Sequence, residues 1–120
     1  MRALRALGVG ATLALLPITL HLLSIAGSGE TQVYYLGDWP APFGISLVAD
    51  MLAAVFVLMV QLVMVTGFLY ALGSKDKVVT YPTFYPLFLT LATGLTGAML
   101  TGDLFNMYVF AELLVISGTV

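Results

Sequence analysis

The sequence predicts an all-α integral membrane protein. About four transmembrane helices, with a short extended segment on the outer side, would form part of a larger helical bundle. Three observations carry this expectation. The composition is 61% hydrophobic and only 8% charged, with a mean hydropathy of +1.08, whereas a soluble domain carries roughly 25% charged residues. The charges divide the chain into four long apolar runs, each able to cross about 30 Å of hydrocarbon at 1.5 Å per residue. The four basic residues also fall where one side of a membrane would gather them.

Composition excludes several functions. A net charge of −2 and four basic residues provide no nucleic-acid patch. Cysteine is absent, which removes disulfides, thiolate catalysis and Cys-ligated metals. The single His21 cannot form a histidine metal site within the chain. No cofactor is expected. The 120 residues hold about four spans at ~20 residues each. That is short for a self-sufficient transporter, which usually combines two repeats around a midplane site. A subunit, a fragment or one piece of a split gene is therefore expected.

The first run, 6–29, follows Arg2 and Arg5 and predicts a helix over about 4–27. Arg2, Arg5, the apolar core and Ser24-Ile25-Ala26 before Gly27 also match a secretory signal peptide. The length of the run and the presence of Pro17 and His21 favour a retained helix, and both readings stay open. The second helix is expected over about 44–73, the third over 80–102 and the last over 104–120, all within one membrane domain. If the helices alternate, Arg2, Arg5, Lys75 and Lys77 share one side, and the positive-inside rule makes that side and the N-terminus cytoplasmic in a cell membrane. Glu30, Asp38 and Asp103 then lie outside.

The connection 28–43 is the long non-helical stretch. Gln32-Val33-Tyr34-Tyr35-Leu36 has β character, Gly37-Asp38 reads as a turn, and Trp39-Pro40-Ala41-Pro42 is expected to be extended. A short strand or hairpin on the outer surface and an irregular loop are both compatible with this pattern. Tyr34, Tyr35, Trp39 and Phe43 are placed at the outer interface, and Tyr70, Tyr81 and Tyr85 at the inner one.

Polar residues within the spans are weighed singly. Asp50 falls in the first turns of the second helix, where the dipole favours a carboxylate; membership of an ion path is the rival role. Gln61 and Thr66 read as interhelical packing glue, and His21 as a hydrogen-bonded structural residue. Gly94, Ala98 and Gly102 recur every four residues beside the row Thr93, Gly97 and Thr101, a pattern that lets another helix approach closely. Pro82 and Pro86 fall in or near the first turn of that helix, where a missing N–H does least harm. Asp103 reads as the N-cap of the last helix.

Glu112 has no such bland account. Nine residues beyond Asp103, it lies ~13 Å along the helix, near the midplane. A charge at that depth costs roughly 2.5–3.5 kcal/mol on insertion scales. At 100° per residue Phe105, Tyr108, Ile116 and Thr119 share its face, and Asp103 points the opposite way. All four cations are expected at the cytoplasmic surface. The carboxylate therefore takes its partner from a helix outside this chain, or is protonated; a purely structural buried Glu is the rival.

The runs Gly37-Asp38-Trp39-Pro40-Ala41-Pro42-Phe43-Gly44-Ile45, Leu47-Val48-Ala49-Asp50-Met51-Leu52 and Phe84-Tyr85-Pro86-Leu87-Phe88 resemble the D-type component of Mrp-type multisubunit cation/proton antiporters. The most specific run, Leu100-Thr101-Gly102-Asp103-Leu104-Phe105-Asn106-Met107-Tyr108-Val109-Phe110-Ala111-Glu112, resembles the start of that family's fifth transmembrane helix. Proton-pumping subunits of respiratory complex I and of membrane-bound hydrogenases share this helix. The likeness covers nearly all of the chain from about Tyr34 onward. It implies that Glu112 is the key carboxylate of the ion path, paired with a lysine on a later helix. Asp50 and Asp103 match family positions with a supporting role, and Tyr108 is taken as supporting from its place on the Glu112 face. Ala111 departs from the pattern, since an aromatic residue is common there.

The resemblance also implies absences. Family members have around fourteen helices, and this chain is similar to their second to fifth. The first helix and the lysine-bearing helices are missing, and the sequence stops before the fifth would finish. The expected function is part of a membrane subunit that translocates protons, or exchanges Na+ for H+. Its expected partners are the lipid bilayer and other subunits of an Mrp-type or complex-I-like assembly. No enzymatic role is expected, and redox chemistry would belong to other subunits. The alternative is a non-conducting structural subunit or truncated remnant that only packs, through Gly94, Ala98 and Gly102.

Overall fold

The computed structural model describes residues 1–119. Helix α1 (Arg2–Gly27) leads to strand β1 (Gln32–Tyr35), a 3-10 turn at Leu36–Asp38, strand β2 (Ser46–Ala49) and helix α2 (Met51–Gly73). One turn of helix, α3 (Lys77–Thr80), precedes α4 (Phe84–Leu100) and α5 (Leu104–Thr119). The bundle extends 46 Å along its longest axis, about the thickness of a bilayer with its headgroups. Helices α1 and α2, with 26 and 23 residues, are long and apolar enough to cross a membrane. Helices α4 and α5 are apolar but shorter, at 17 and 16 residues.

The core follows from a stripe on α2. Ala53, Val57, Gln61, Met64, Phe68 and Ala71 are buried at steps of three or four residues, the spacing of one helix face. Phe68 lies against Gly8 of α1 and packs edge-on to Phe88 of α4, with ring centroids 4.7 Å apart. Tyr85 stacks on Phe68 at 5.9 Å. Val79 and Ala71 complete this cluster, and Leu4, Val9 and Phe84 pack against it. Helices α1 and α2 run antiparallel, because the start of α1 meets the end of α2 there. Arg2, Arg5, Lys75 and Lys77 thus belong to the same end of the bundle.

The opposite end is organised by the two strands. They pair antiparallel, with Gln32 opposite Ala49 and Tyr35 opposite Ser46. On its other side β2 forms a bridge from Leu47 to Thr101, and the Gly102 amide donates to the Ser46 carbonyl at 2.9 Å. The expected β character of 32–36 is realised over Gln32–Tyr35, with Leu36 opening the 3-10 turn, and its partner is a segment expected to be helical. Residues 46–49 form a strand, so the second helix begins at Met51 instead of about 44. Pairing on both sides satisfies backbone groups that a helix would have satisfied internally.

Other boundaries also shift. The third helix spans Phe84–Leu100 rather than 80–102, and residues 77–80 form the separate turn α3. Pro82 falls between the two, and Pro86 lies in the first turn of α4. The first helix starts at Arg2. The last reaches Thr119, and the Val120 end of the expected 104–120 helix lies outside the described residues. Within the 39–42 segment Trp39 is extended, and the chain turns from Ala41, with the amides of Phe43 and Gly44 donating to the Pro40 carbonyl. Tyr34, Trp39, Phe43, Tyr70 and Tyr81 are exposed as interface residues would be, whereas Tyr85 is only 1% exposed and belongs to the core.

Candidate ion-path site

The geometry of the site begins at β2. Gly102 approaches this strand so closely that a Cβ there would lie 2.7 Å from the Val48 side chain and 2.9 Å from the Ser46 hydroxyl oxygen. That contact fixes the corner between α4 and α5. Asp103 follows and caps α5, its carboxylate accepting from the Asn106 amide at 2.9 Å. The Asn106 side chain turns inward and donates to the Thr101 hydroxyl oxygen at 3.1 Å. Corner, cap and strand together set the direction in which α5 leaves the sheet.

The rotation of α5 is set by α4. A Cβ at Gly97 would overlap the Phe110 ring, and one at Gly94 would meet Leu114 at 3.0 Å. Phe110 and Leu114 therefore face α4, and the far side of α5 turns away from the chain. That far side holds Phe105, Tyr108, Glu112, Ile116 and Thr119, all exposed. Tyr108 stands one turn before Glu112 on the same exposed face of α5. Tyr108 and Glu112 are thus brought together, while Asp103 and Asp50 are not part of that face.

Asp50 is an N-cap. Its carboxylate accepts from the Ala53 amide at 2.8 Å, and it stands before the first turn of α2 instead of within it. The small-residue row is divided between two partners. Gly94 packs on α5, but Gly102 lies beyond the end of α4 and packs on β2. The closest approach to α5 comes from Gly97, in the neighbouring row. A four-residue spacing could not show this, because the helix ends before the third member.

Gln61, expected to be interhelical packing glue, has a more particular setting. It is 1% exposed, and its side-chain oxygen has no hydrogen-bond partner among the described residues. The signal was present: an amide in the middle of an apolar 23-residue helix.

No protein-family model matches the chain. Individual relatives do. The D component of a Na(+)/H(+) antiporter of Alkalihalophilus pseudofirmus is 36% identical over 90% of this chain and 22% of its own length. The D component of a probable K(+)/H(+) antiporter of Rhizobium meliloti is 37% identical over 91% of this chain and 21% of its own. Among solved structures, the Mrp complex from Dietzia sp. superposes with a TM-score of 0.90 at 25% identity, covering 97% of this chain and 21% of that one. A chain of the membrane-bound sulfane sulfur reductase, an archaeal respiratory membrane complex, matches with a TM-score of 0.65 at 31% identity over 96% of this chain and 28% of its own.

Fold and site therefore define the class: an apolar helical segment of the antiporter-like subunits found in Mrp and respiratory membrane complexes. Within that class the chain is homologous to a segment of the D components of such antiporters. It spans about a fifth of the length of the curated relatives it matches.

Proposed function

We propose that this chain is part of a membrane subunit that translocates protons, or exchanges Na+ for H+, within a multisubunit assembly. In this reading Glu112 is its ion-path carboxylate. The observation that carries it is the outward face of α5, where one carboxylate stands among Phe105, Tyr108 and Ile116 and is exposed on the surface of the chain. Left bare toward lipid, that charge would be costly. A cation on a neighbouring helix of the assembly removes the cost, and Tyr108 can donate a hydrogen bond to the same carboxylate.

The mechanism follows from charge coupling. A lysine beside Glu112 is held protonated by the negative charge. When the two separate, the lysine's proton affinity falls and the proton moves on along polar groups and water. Asp103 and Asp50 support this by anchoring helix starts. The end of the bundle bearing Arg2, Arg5, Lys75 and Lys77 lies on the cytoplasmic side, in accord with the distribution of basic residues in membrane proteins. Any redox chemistry of such an assembly belongs to other subunits.

The test is Glu112→Gln in the assembled complex, reconstituted into vesicles. Transport is expected to be abolished while the amount of assembled complex changes little. Transport at the wild-type rate would overturn the reading. The alternative, a subunit that only packs, relies on the Gly94 row, but Gly94 and Gly97 are occupied by α5 of the same chain.

A further inference from the structure

A groove of about 490 Å³ runs between α1, α2, α4 and α5, lined by Thr12, Gln61, Thr93, Thr96 and Phe110 together with apolar residues. Gln61 is 1% exposed, with its side-chain oxygen unpartnered among the described residues. A buried amide oxygen without a donor is disfavoured and usually signals a bound partner.

The chemistry of the surrounding side chains states what that partner brings. The Thr12 hydroxyl donates to the Gly8 and Val9 carbonyls at 2.9 and 3.0 Å. The Thr93 hydroxyl donates to the Leu89 carbonyl at 2.9 Å. Each has committed its proton and retains acceptor capacity, as does the Gln61 oxygen. The groove thus presents these acceptors beside two donors uncommitted among the described residues, the Thr96 hydroxyl and the Gln61 amide nitrogen, and its ligand must both donate and accept. A cation would meet these oxygens without a counter-charge, since no Asp or Glu lines the groove. Water is neutral, both donates and accepts, and needs only a small part of this volume.

We propose that Gln61 marks a water-binding site inside the bundle, with the bound water donating to the Gln61 side-chain oxygen and to a threonine oxygen of the same groove. This site is separate from Glu112. Phe110 lines the groove, and two residues along α5 rotate Glu112 to the other side of the helix. The inference needs no transport activity, so it can stand or fall independently of the proposed function.

Glutamine occurs at only two positions, Gln32 and Gln61, and Gln32 is exposed on β1. In the assembled complex in lipid bilayers, with glutamine labelled in this chain alone, water-edited solid-state NMR reads both side-chain amides. Gln61→Leu assigns the Gln61 signal. Both amides are expected to receive magnetisation from water. Build-up at Gln32 with none at Gln61 would overturn the proposal. Because the chain has no cysteine, thiol reactivity provides a second readout. A Gln61→Cys thiol in a hydrated site should react with a small water-soluble reagent at least about tenfold faster than Ala54→Cys in the dry core, because reaction requires the thiolate. Equal rates would likewise overturn it.

Discussion

Helices α2 and α5 are both apolar, yet they use their surfaces in opposite ways. Seven residues of α2 are buried within the chain, from Ala53 to Ala71, whereas on α5 only Asn106 is, among the described residues. The stripe on α2 is closed by α1 and α4 through Phe68, Tyr85 and Phe88. The contacts of α5 include Asn106, Phe110 and Leu114, and the face bearing Phe105, Tyr108 and Ile116 points outward with its carboxylate. The difference separates a face packed within the chain from a face turned outward. In a membrane, where lipid is as apolar as leucine, packing and hydrogen bonds decide which helix faces are filled.

This contrast can be attacked from its strongest point downward. Phe68→Ala removes the ring on which three helices meet, and a loss of about 3–5 kcal/mol is expected in reversible unfolding. Gly97→Leu drives a side chain into the Phe110 ring and should cost about 1–3 kcal/mol. Its sharper consequence is a rotation of α5, read as a changed distance between spin labels on α4 and α5. Asp103→Ala deletes the α5 cap at a cost of about 1 kcal/mol, visible as faster amide exchange in the first turn of α5. Phe105→Ala, on the outward face, should change the unfolding free energy of the chain by no more than about 0.5 kcal/mol. If Phe105→Ala proved as damaging as Phe68→Ala, the two surfaces would not differ as described.

Much of this was legible in the residues. Arg2, Arg5, Lys75 and Lys77 marked one end of the bundle, and helix geometry alone gathered Phe105, Tyr108, Glu112 and Ile116 onto one face. Asp103 was readable as a cap because capping is a matter of a few consecutive residues. The turn at Gly37-Asp38 was legible for the same reason. Strand β2 was not. Leu47, Val48 and Ala49 form an apolar run too short to separate strand from helix by periodicity, and their choice rests on β1 and on Thr101, far away along the chain.

The sequence by itself therefore determined what depends on composition and on neighbours along the chain: an apolar helical class, the isolation of Glu112 and the side of its helix that it occupies. Only the tertiary structure decided what depends on partners distant in sequence. It buried Tyr85 against Phe68, made Gly97 the seat of Phe110, turned 46–49 into a strand and set Gln61 in the lining of a groove. The physical reason is range. Charge, hydropathy and helical phase are properties of a short segment, whereas burial and hydrogen-bond satisfaction exist only between segments already brought together.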